Sequence, residues 1–194
     1  MYYLPVRSFV NLHVRTKNAD EVASLAEQLR TPGLTLYVVP DEPWFSLYDE
    51  GLEADESRRD LLTALEQASL LGRAATFMVM EDEQLFWALA DGGKIVYRSA
   101  VGPEETWKRG MLPSDLDEVA VAAAEVGEPK TASVRALARM LGLEPDHAVT
   151  GFGDLLEMDE ENQLPETVWV FEDPEIQLQV FAERPYLEEK DASS

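Results

Sequence analysis

The chain of 194 residues contains 38 acidic and 16 basic side chains, 2 histidines and no cysteine, and its formal net charge is −22. Its 45% hydrophobic residues supply enough apolar material for a sizeable core, which excludes a wholly disordered chain and a small disulfide-stapled protein. Without cysteine, thiolate zinc sites and cysteine nucleophiles are excluded as well.

The sequence also argues against export and membrane insertion. Pro5, Arg7 and Asn11 interrupt the stretch in which a secretory signal would need a continuous apolar run. The longest apolar stretches, 74–80 and 85–90, are far shorter than the roughly 20 residues that span a bilayer. We therefore expect a soluble, cytoplasmic protein with no membrane contact.

The first fifty residues contain signals for three strands and one helix. Alternation of apolar and polar residues over Val6–Val14 predicts a half-buried strand with His13 on its solvent side. Asn18 is a typical N-cap for the helix that follows. After a Pro-Gly turn, Leu34–Val39 reads as a second strand, and Trp44–Tyr48 reads as a short edge strand.

A second helix and three further strands are predicted up to residue 101. Ala74–Met80 and Leu85–Ala90 are apolar on both faces, as expected of central strands covered on two sides. Asp91-Gly92-Gly93 then predicts a hairpin into Ile95–Ser99. This order favours an α+β fold with a mixed, mostly antiparallel sheet and packed helices.

After residue 102 the sequence patterns predict mainly helices. One helix is predicted to start at Ser114–Asp117 and to carry an apolar stripe. The members of that stripe are Leu116, Val119, Ala120, Ala123 and Val126. A second helix ends at Gly142, and a third, starting at Asp146, is broken near Gly151 and Gly153.

The chain closes with a predicted hairpin of Val168–Phe171 and Ile176–Phe181, which we expect to return to the first sheet. We therefore predict one compact domain over residues 1–186 and a polar tail over residues 187–194. A subdivision into a sheet-rich part, 1–101, and a helical part, 102–160, stays open.

Acidic residues are concentrated near the carboxyl end. From Glu144 to Asp191 there are 15 acidic side chains and only two basic ones, Arg184 and Lys190. Such a field disfavours nucleic acid and anionic lipid, and it favours a basic protein partner or a cation. The alternative is that the acidity serves only solubility.

Two short patterns resemble a metal site and a nucleic-acid-binding motif. Glu144 and His147 have the Glu-x-x-His spacing of carboxylate-bridged metal centres, but these centres need a second copy and further glutamates. The string at residues 132–149 has the cadence of a helix-turn-helix, yet its second helix contains no Lys or Arg. We expect a helix start, a packed helical hairpin, no metal and no cofactor.

The candidates for partner binding are acidic and aromatic. Five carboxylates lie close together in one segment, and if it is helical the first, second and last of them share a face: Asp154, Glu157, Asp159, Glu160 and Glu161. They lack the spacing and glycine of an EF-hand. Trp44, Phe45 and Trp107 are placed by the sequence in loops, where aromatic residues favour interfaces.

Three functions remain open at this level. The first is a non-enzymatic acidic interaction module of the inhibitor, immunity or adaptor type, which binds a basic protein surface. The second is a carboxylate-centred or metal-assisted hydrolase, and the third is a regulatory module that senses a small ligand in a cleft between the sheet and the helical segment. The uneven charge and the lack of a catalytic motif favour the first; nothing indicates the oligomeric state.

Overall fold

The computed structural model describes residues 7–54 and 59–172 as an open sheet of eight strands with helices on both faces. The strands are β1 Phe9–Arg15, β2 Leu36–Asp41, β3 Trp44–Asp49, β4 Ala74–Met80, β5 Gln84–Asp91, β6 Lys94–Val101, β7 Thr106–Gly110 and β8 Trp169–Phe171. Their order is β7-β6-β5-β4-β1-β3-β2-β8, and every pairing among them is antiparallel. The predicted α+β class is therefore confirmed.

The turn between β5 and β6 follows from local sequence. Gly92 and Gly93 have φ values of 57° and 78° and connect the paired residues Asp91 and Lys94. Positive φ at both central residues is the type I′ geometry, whose twist matches that of the flanking strands. The predicted hairpin at this point is confirmed.

One face of the sheet is covered by helices from the first part of the chain. These are α1 Ala19–Leu29 and α3 Arg59–Ala68, and the short α2 Glu50–Ala54 follows β3 directly. The side chain of Asn18 accepts the Glu21 N–H at 3.4 Å, so α1 begins where the sequence predicts. Val22 and Leu25 of α1 and Leu65 of α3 pack on this face in the larger core.

The other face is covered by four helices, α4 Glu118–Glu125, α5 Lys130–Leu141, α6 Pro145–Ala148 and α7 Phe152–Glu160. Val134 and Leu137 of α5 pack with Trp87 and Leu89 of β5 in a second core. The predicted third helix is thus two helices, α6 and α7, because the chain is not helical between residues 149 and 151.

Coverage of both faces changes the interpretation of two strands. β1 lies between β3 and β4, and β3 lies between β1 and β2. The expected half-burial of the first strand is wrong, because residues 9–14 are all buried. The expected edge position of Trp44–Tyr48 is also wrong, because this segment is an interior strand with hydrogen-bonded neighbours on both sides.

The two ends of the sheet complete the fold. β7 was not predicted from the sequence, and it pairs only with β6 among the described strands. β8 pairs with β2, so the closing segment returns to the first sheet as predicted. The second arm of the predicted hairpin, Ile176–Phe181, and the tail 187–194 lie outside the described residues. No helix within residues 7–54 and 59–172 has the length and apolar character for crossing a bilayer.

Candidate functional site

Three polar side chains form a buried chain of hydrogen bonds across β1 and β3. His13 Nδ1 lies 2.8 Å from Ser46 Oγ, and His13 Nε2 lies 2.9 Å from Asn11 Oδ1. The Asn11 amide nitrogen donates to the carbonyls of Ala148 and Thr150, at 2.8 and 3.0 Å. The Asn11 oxygen is therefore the acceptor, so Nε2 of His13 carries the proton and Nδ1 accepts from the Ser46 hydroxyl.

This network attaches the connection between α6 and α7 to the sheet. The Tyr48 hydroxyl adds a further bond, donating to the His147 carbonyl at 2.8 Å. His13 is 0% exposed, so the expectation that it is a solvated surface residue is wrong. Burial, with a smaller contribution from nearby His147, lowers the pKa of His13 to about 3, and the ring is neutral at pH 7.

A cleft of about 370 Å³ opens between the sheet and the helices at this connection, and we call it the α6–α7 cleft. The apolar part of its wall is Val39, Val149, Leu155, Met158, Pro165 and Val168. The polar part is Arg7, Tyr48, Arg135, Asp146, His147, Thr150 and Asp154. The cleft therefore combines an apolar wall with several polar groups.

The cations that line the cleft already face carboxylates. Arg7 Nη2 lies 3.7 Å from Asp154 Oδ1, and Arg135 forms an ion pair with Asp146. The hydrogen bond and charge of Arg135 hold the pKa of Asp146 below its ordinary value. The cleft is consequently close to neutral, and neither arginine is left to anchor an anionic ligand by itself.

Glu144 and His147, the residues with metal-site spacing, lie at the start of α6. Glu144 is the N-cap, and its side chain accepts the Asp146 N–H at 3.4 Å. His147 Nδ1 lies 3.8 Å from Asp41 Oδ2. Throughout residues 7–54 and 59–172, no group of three or more His, Asp or Glu side chains is placed to hold a metal ion.

Of the five carboxylates in the acidic segment, two form hydrogen bonds within the protein and three are exposed to solvent. Asp154 accepts the Gly151 N–H at 2.9 Å and caps the helix, and Asp159 accepts the Tyr37 hydroxyl at 3.0 Å. The other three, Glu157, Glu160 and Glu161, are exposed. Burial and the bond to Asp159 raise the pKa of Tyr37.

The start of α7 is also fixed by α2. The Phe152 N–H donates to the Glu53 carboxylate at 2.6 Å, which satisfies one of the free donors of the first turn. Gly151 passes so close to β1 that an added Cβ would lie 2.9 Å from the Phe9 Cβ. Burial raises the pKa of Glu53, while the Phe152 bond opposes that shift. The orientation of the acidic face of α7 is thus set by contacts from two other elements.

The aromatic candidates are corrected by their burial. Trp44 and Phe45 are each 1% exposed, because neighbouring residues of an interior strand point to opposite covered faces. They are not in an exposed loop and are not available to a partner at the surface. Trp107 is partly exposed on β7, and its Nε1 donates to the Glu105 carboxylate.

Glu125 is a buried carboxylate that the sequence patterns do not predict. Its Oε1 accepts the Trp87 Nε1–H at 2.8 Å and the Tyr97 hydroxyl at 2.9 Å, and its Oε2 pairs with Lys108. The predicted apolar stripe of α4 is therefore wrong, since Val119 is 80% exposed whereas Glu125 is 0% exposed. Hydrogen-bond donors on Trp87 of β5 and Tyr97 of β6 stabilise the buried carboxylate. The sequence of α4 does not predict these contacts, because the donors lie on other elements.

Comparison with known proteins gives no relative from which a function can be transferred. The chain matches no protein-family model, no curated protein and no solved structure. The function must therefore be inferred from two features of the molecule, the exposed carboxylates of α7 and the α6–α7 cleft.

Proposed function

We propose that this protein is a non-enzymatic interaction module that binds a basic protein surface through the exposed side of α7. The observation that carries the proposal is the uncompensated charge of Glu157, Glu160 and Glu161. None of the three forms an ion pair within the described residues. We call these three residues, together with Leu156 and Met158, the α7 surface.

The charge of the residues around α7 supports the proposed binding of a basic protein. Residues 144–172 contain nine acidic side chains and neither Lys nor Arg. Arg7 and Arg135 reach this region and pair with Asp154 and Asp146 at the cleft, so neither of them neutralises the carboxylates of the α7 surface. A cluster of this kind speeds association with a positively charged partner and fixes its orientation.

Apolar contact area accompanies the charge. Leu156 and Met158 are 38% and 43% exposed on the same helix as the free carboxylates. Interfaces commonly combine apolar contacts with a polar rim, and methionine adapts well to a partner's shape. The α7 surface therefore has both the electrostatic and the apolar component of a protein-binding site.

The test compares two triple variants with equal changes in net charge. One replaces Glu157, Glu160 and Glu161 by Gln, and the control replaces exposed Glu21, Glu83 and Glu118 by Gln. Wild-type and control proteins should retain the same basic protein from native lysate at about 0.05 M salt and release it at about 0.5 M. The α7 variant should bind this protein at least about tenfold more weakly than wild type. Equal retention by both variants would contradict the proposal.

A second candidate function, small-ligand sensing, is favoured by the α6–α7 cleft. Its volume of about 370 Å³ lies in the usual range of about 300–1,000 Å³ for ligand pockets, and much of its wall is apolar. The neutral balance of its charges indicates a mainly apolar ligand with one or two hydrogen-bonding groups. Thermal denaturation with a series of such metabolites tests this function, because a bound ligand raises the melting temperature. The α7 triple variant should keep any such stabilisation.

A further inference from the structure

A basic surface lies at the opposite end of the sheet from α7. Lys94 and Arg98 of β6 and Arg109 of β7 make no ion pair and no side-chain hydrogen bond within the described residues, although the chain has a net charge of −22. They line a groove of about 450 Å³ that runs beside the β6–β7 ribbon and contains one carboxylate, Glu66. Because none of these three cations has a carboxylate partner among residues 7–54 and 59–172, the groove is positively charged and favours an anionic occupant.

The two arginines are held in place by Trp107. Arg98 and Arg109 are cross-strand partners, and their guanidinium carbons lie 5.6 and 5.5 Å from the centre of the Trp107 ring. Such cation–π contacts order the side chains and leave their N–H donors available for carboxylates. The pair therefore offers fixed positive charge at small cost in side-chain entropy.

The outer edge of β7 offers backbone groups beside these charges. The Met111 N–H donates to the Val96 carbonyl at 3.0 Å, which fixes the alternation of hydrogen bonds between β6 and β7. By that alternation Trp107 and Arg109 bond to β6, and the backbone of Thr106, Lys108 and Gly110 points outward. No other described strand pairs with this edge. An open strand edge is a template for a further strand.

We propose that the β6–β7 ribbon binds an extended acidic segment of a partner protein, which adds to β7 as a further strand. The backbone of the segment bonds to Thr106, Lys108 and Gly110, and alternate carboxylates reach Arg98 and Arg109. The β6–β7 ribbon is separate from the α7 surface, so an experiment can contradict one of the two binding proposals and leave the other standing.

Two other occupants fit the surface less well. Both guanidinium groups lie over the Trp107 ring and its Nε1 is bonded to Glu105, so the ring is poorly placed to stack on a nucleic-acid base. A second copy of this chain carries the same net charge of −22, which opposes self-association at low salt. An acidic strand of a partner uses both the charges and the free edge.

The charge component is tested with a labelled peptide of about eight residues that alternates Glu and Val, a length suited to one strand. Fluorescence anisotropy at about 0.05 M salt should show binding of this peptide and none of its Lys-Val counterpart. Arg98→Gln with Arg109→Gln should weaken binding about tenfold. Lys17→Gln with Arg139→Gln, which removes two exposed charges elsewhere, should leave it within about twofold.

The backbone component is tested with two N-methylated versions of the peptide, each blocking alternate N–H groups. One version should bind like the parent and the other should lose binding, because only alternate residues bond to β7. Hydrogen exchange at Lys108 should slow when the parent peptide is bound. The proposal is overturned if both methylated peptides bind equally, if the double arginine variant binds like wild type, or if a single-stranded oligonucleotide of equal charge displaces the peptide.

Discussion

Two regions of the sheet attach the helices that cover them by different polar chemistry. Near β1 and β3, Asn11, His13 and Ser46 form a neutral network that meets its hydrogen-bonding needs inside the protein. Near β5 and β6, the Glu125 carboxylate attaches α4 to the sheet by accepting hydrogen bonds from Trp87 and Tyr97. Its ion-pair partner, Lys108, is 46% exposed. The neutral network should therefore be sensitive to protonation, and the charged contact should be sensitive to deletion of the carboxylate.

The largest expected effect is at the charged contact. Glu125→Ala should lower the free energy of unfolding by about 3 kcal/mol, because it leaves the buried donors of Trp87 and Tyr97 without an acceptor. Glu118→Ala, which removes an exposed carboxylate of the same helix, should cost no more than about 0.5 kcal/mol. Urea denaturation measures both, and equal losses would show that Glu125 does not hold α4 on the sheet.

The neutral network should produce a pH dependence. The pKa of His13 is about 3 in the folded protein and 6.5 in its ordinary state, so the unfolded chain binds the extra proton. Stability from this group is complete above pH 6.5 and is lost as pH falls toward 3, amounting to about 2 kcal/mol between pH 7 and pH 5.

A variant of His13 and a neutral control variant separate that contribution from the contributions of the many carboxylates. In urea denaturation at pH 7 and pH 5, His13→Gln should shrink the loss of stability by about 2 kcal/mol relative to wild type. Gln163→Ala, which changes an exposed and uncharged side chain, should leave the loss nearly unchanged. If the two variants have the same pH dependence, the protonation of His13 does not limit acid stability.

A smaller effect is expected at the start of α7. Asp154→Ala removes the acceptor for the Gly151 N–H and should cost about 1 kcal/mol. Glu157→Ala, on the exposed side of the same helix, should cost a few tenths of a kcal/mol. Hydrogen exchange should show faster opening confined to α7 in the Asp154 variant, and a uniform acceleration over the whole sheet would be inconsistent with a local cap.

The smallest effect is expected at the basic ribbon. Arg98→Gln with Arg109→Gln should change the free energy of unfolding by about 0.5 kcal/mol, since the two side chains lose only cation–π contacts at a solvated surface. Thermal and urea denaturation check this value. A loss above about 2 kcal/mol would mean that these charges serve folding more than docking.

Much of the fold was predictable because its signals are local. The Gly92-Gly93 turn, the Asn18 cap and the apolar strands β4 and β5 all depend on residues within a few positions of one another. The exposed position of Glu157, Glu160 and Glu161 was also accessible, because charged residues on a helix usually face solvent. The finer use of Asp154 as a cap was not predicted.

The candidate site was predictable only in part, because its contacts are remote in sequence. Asn11 bonds to Ala148, which lies 137 residues further along the chain. No pattern around His13 distinguishes a solvated strand residue from one that α6 and α7 will cover. Trp44 and Phe45 were misplaced for the same reason, since burial of both sides of β3 depends on helices from both halves of the chain.

By itself, the sequence determined the α+β class, most strand and helix positions and the negative charge of α7, because these follow from short-range periodicity, capping and composition. The tertiary structure alone decided that both faces of β1 and β3 are buried and that Glu125 and His13 are interior. It also decided that Lys94, Arg98 and Arg109 line one groove beside β7, whose outer edge pairs with no other described strand. Burial and charge pairing depend on which distant elements meet, and hydrogen-bond partners from those elements make polar residues stable in a core.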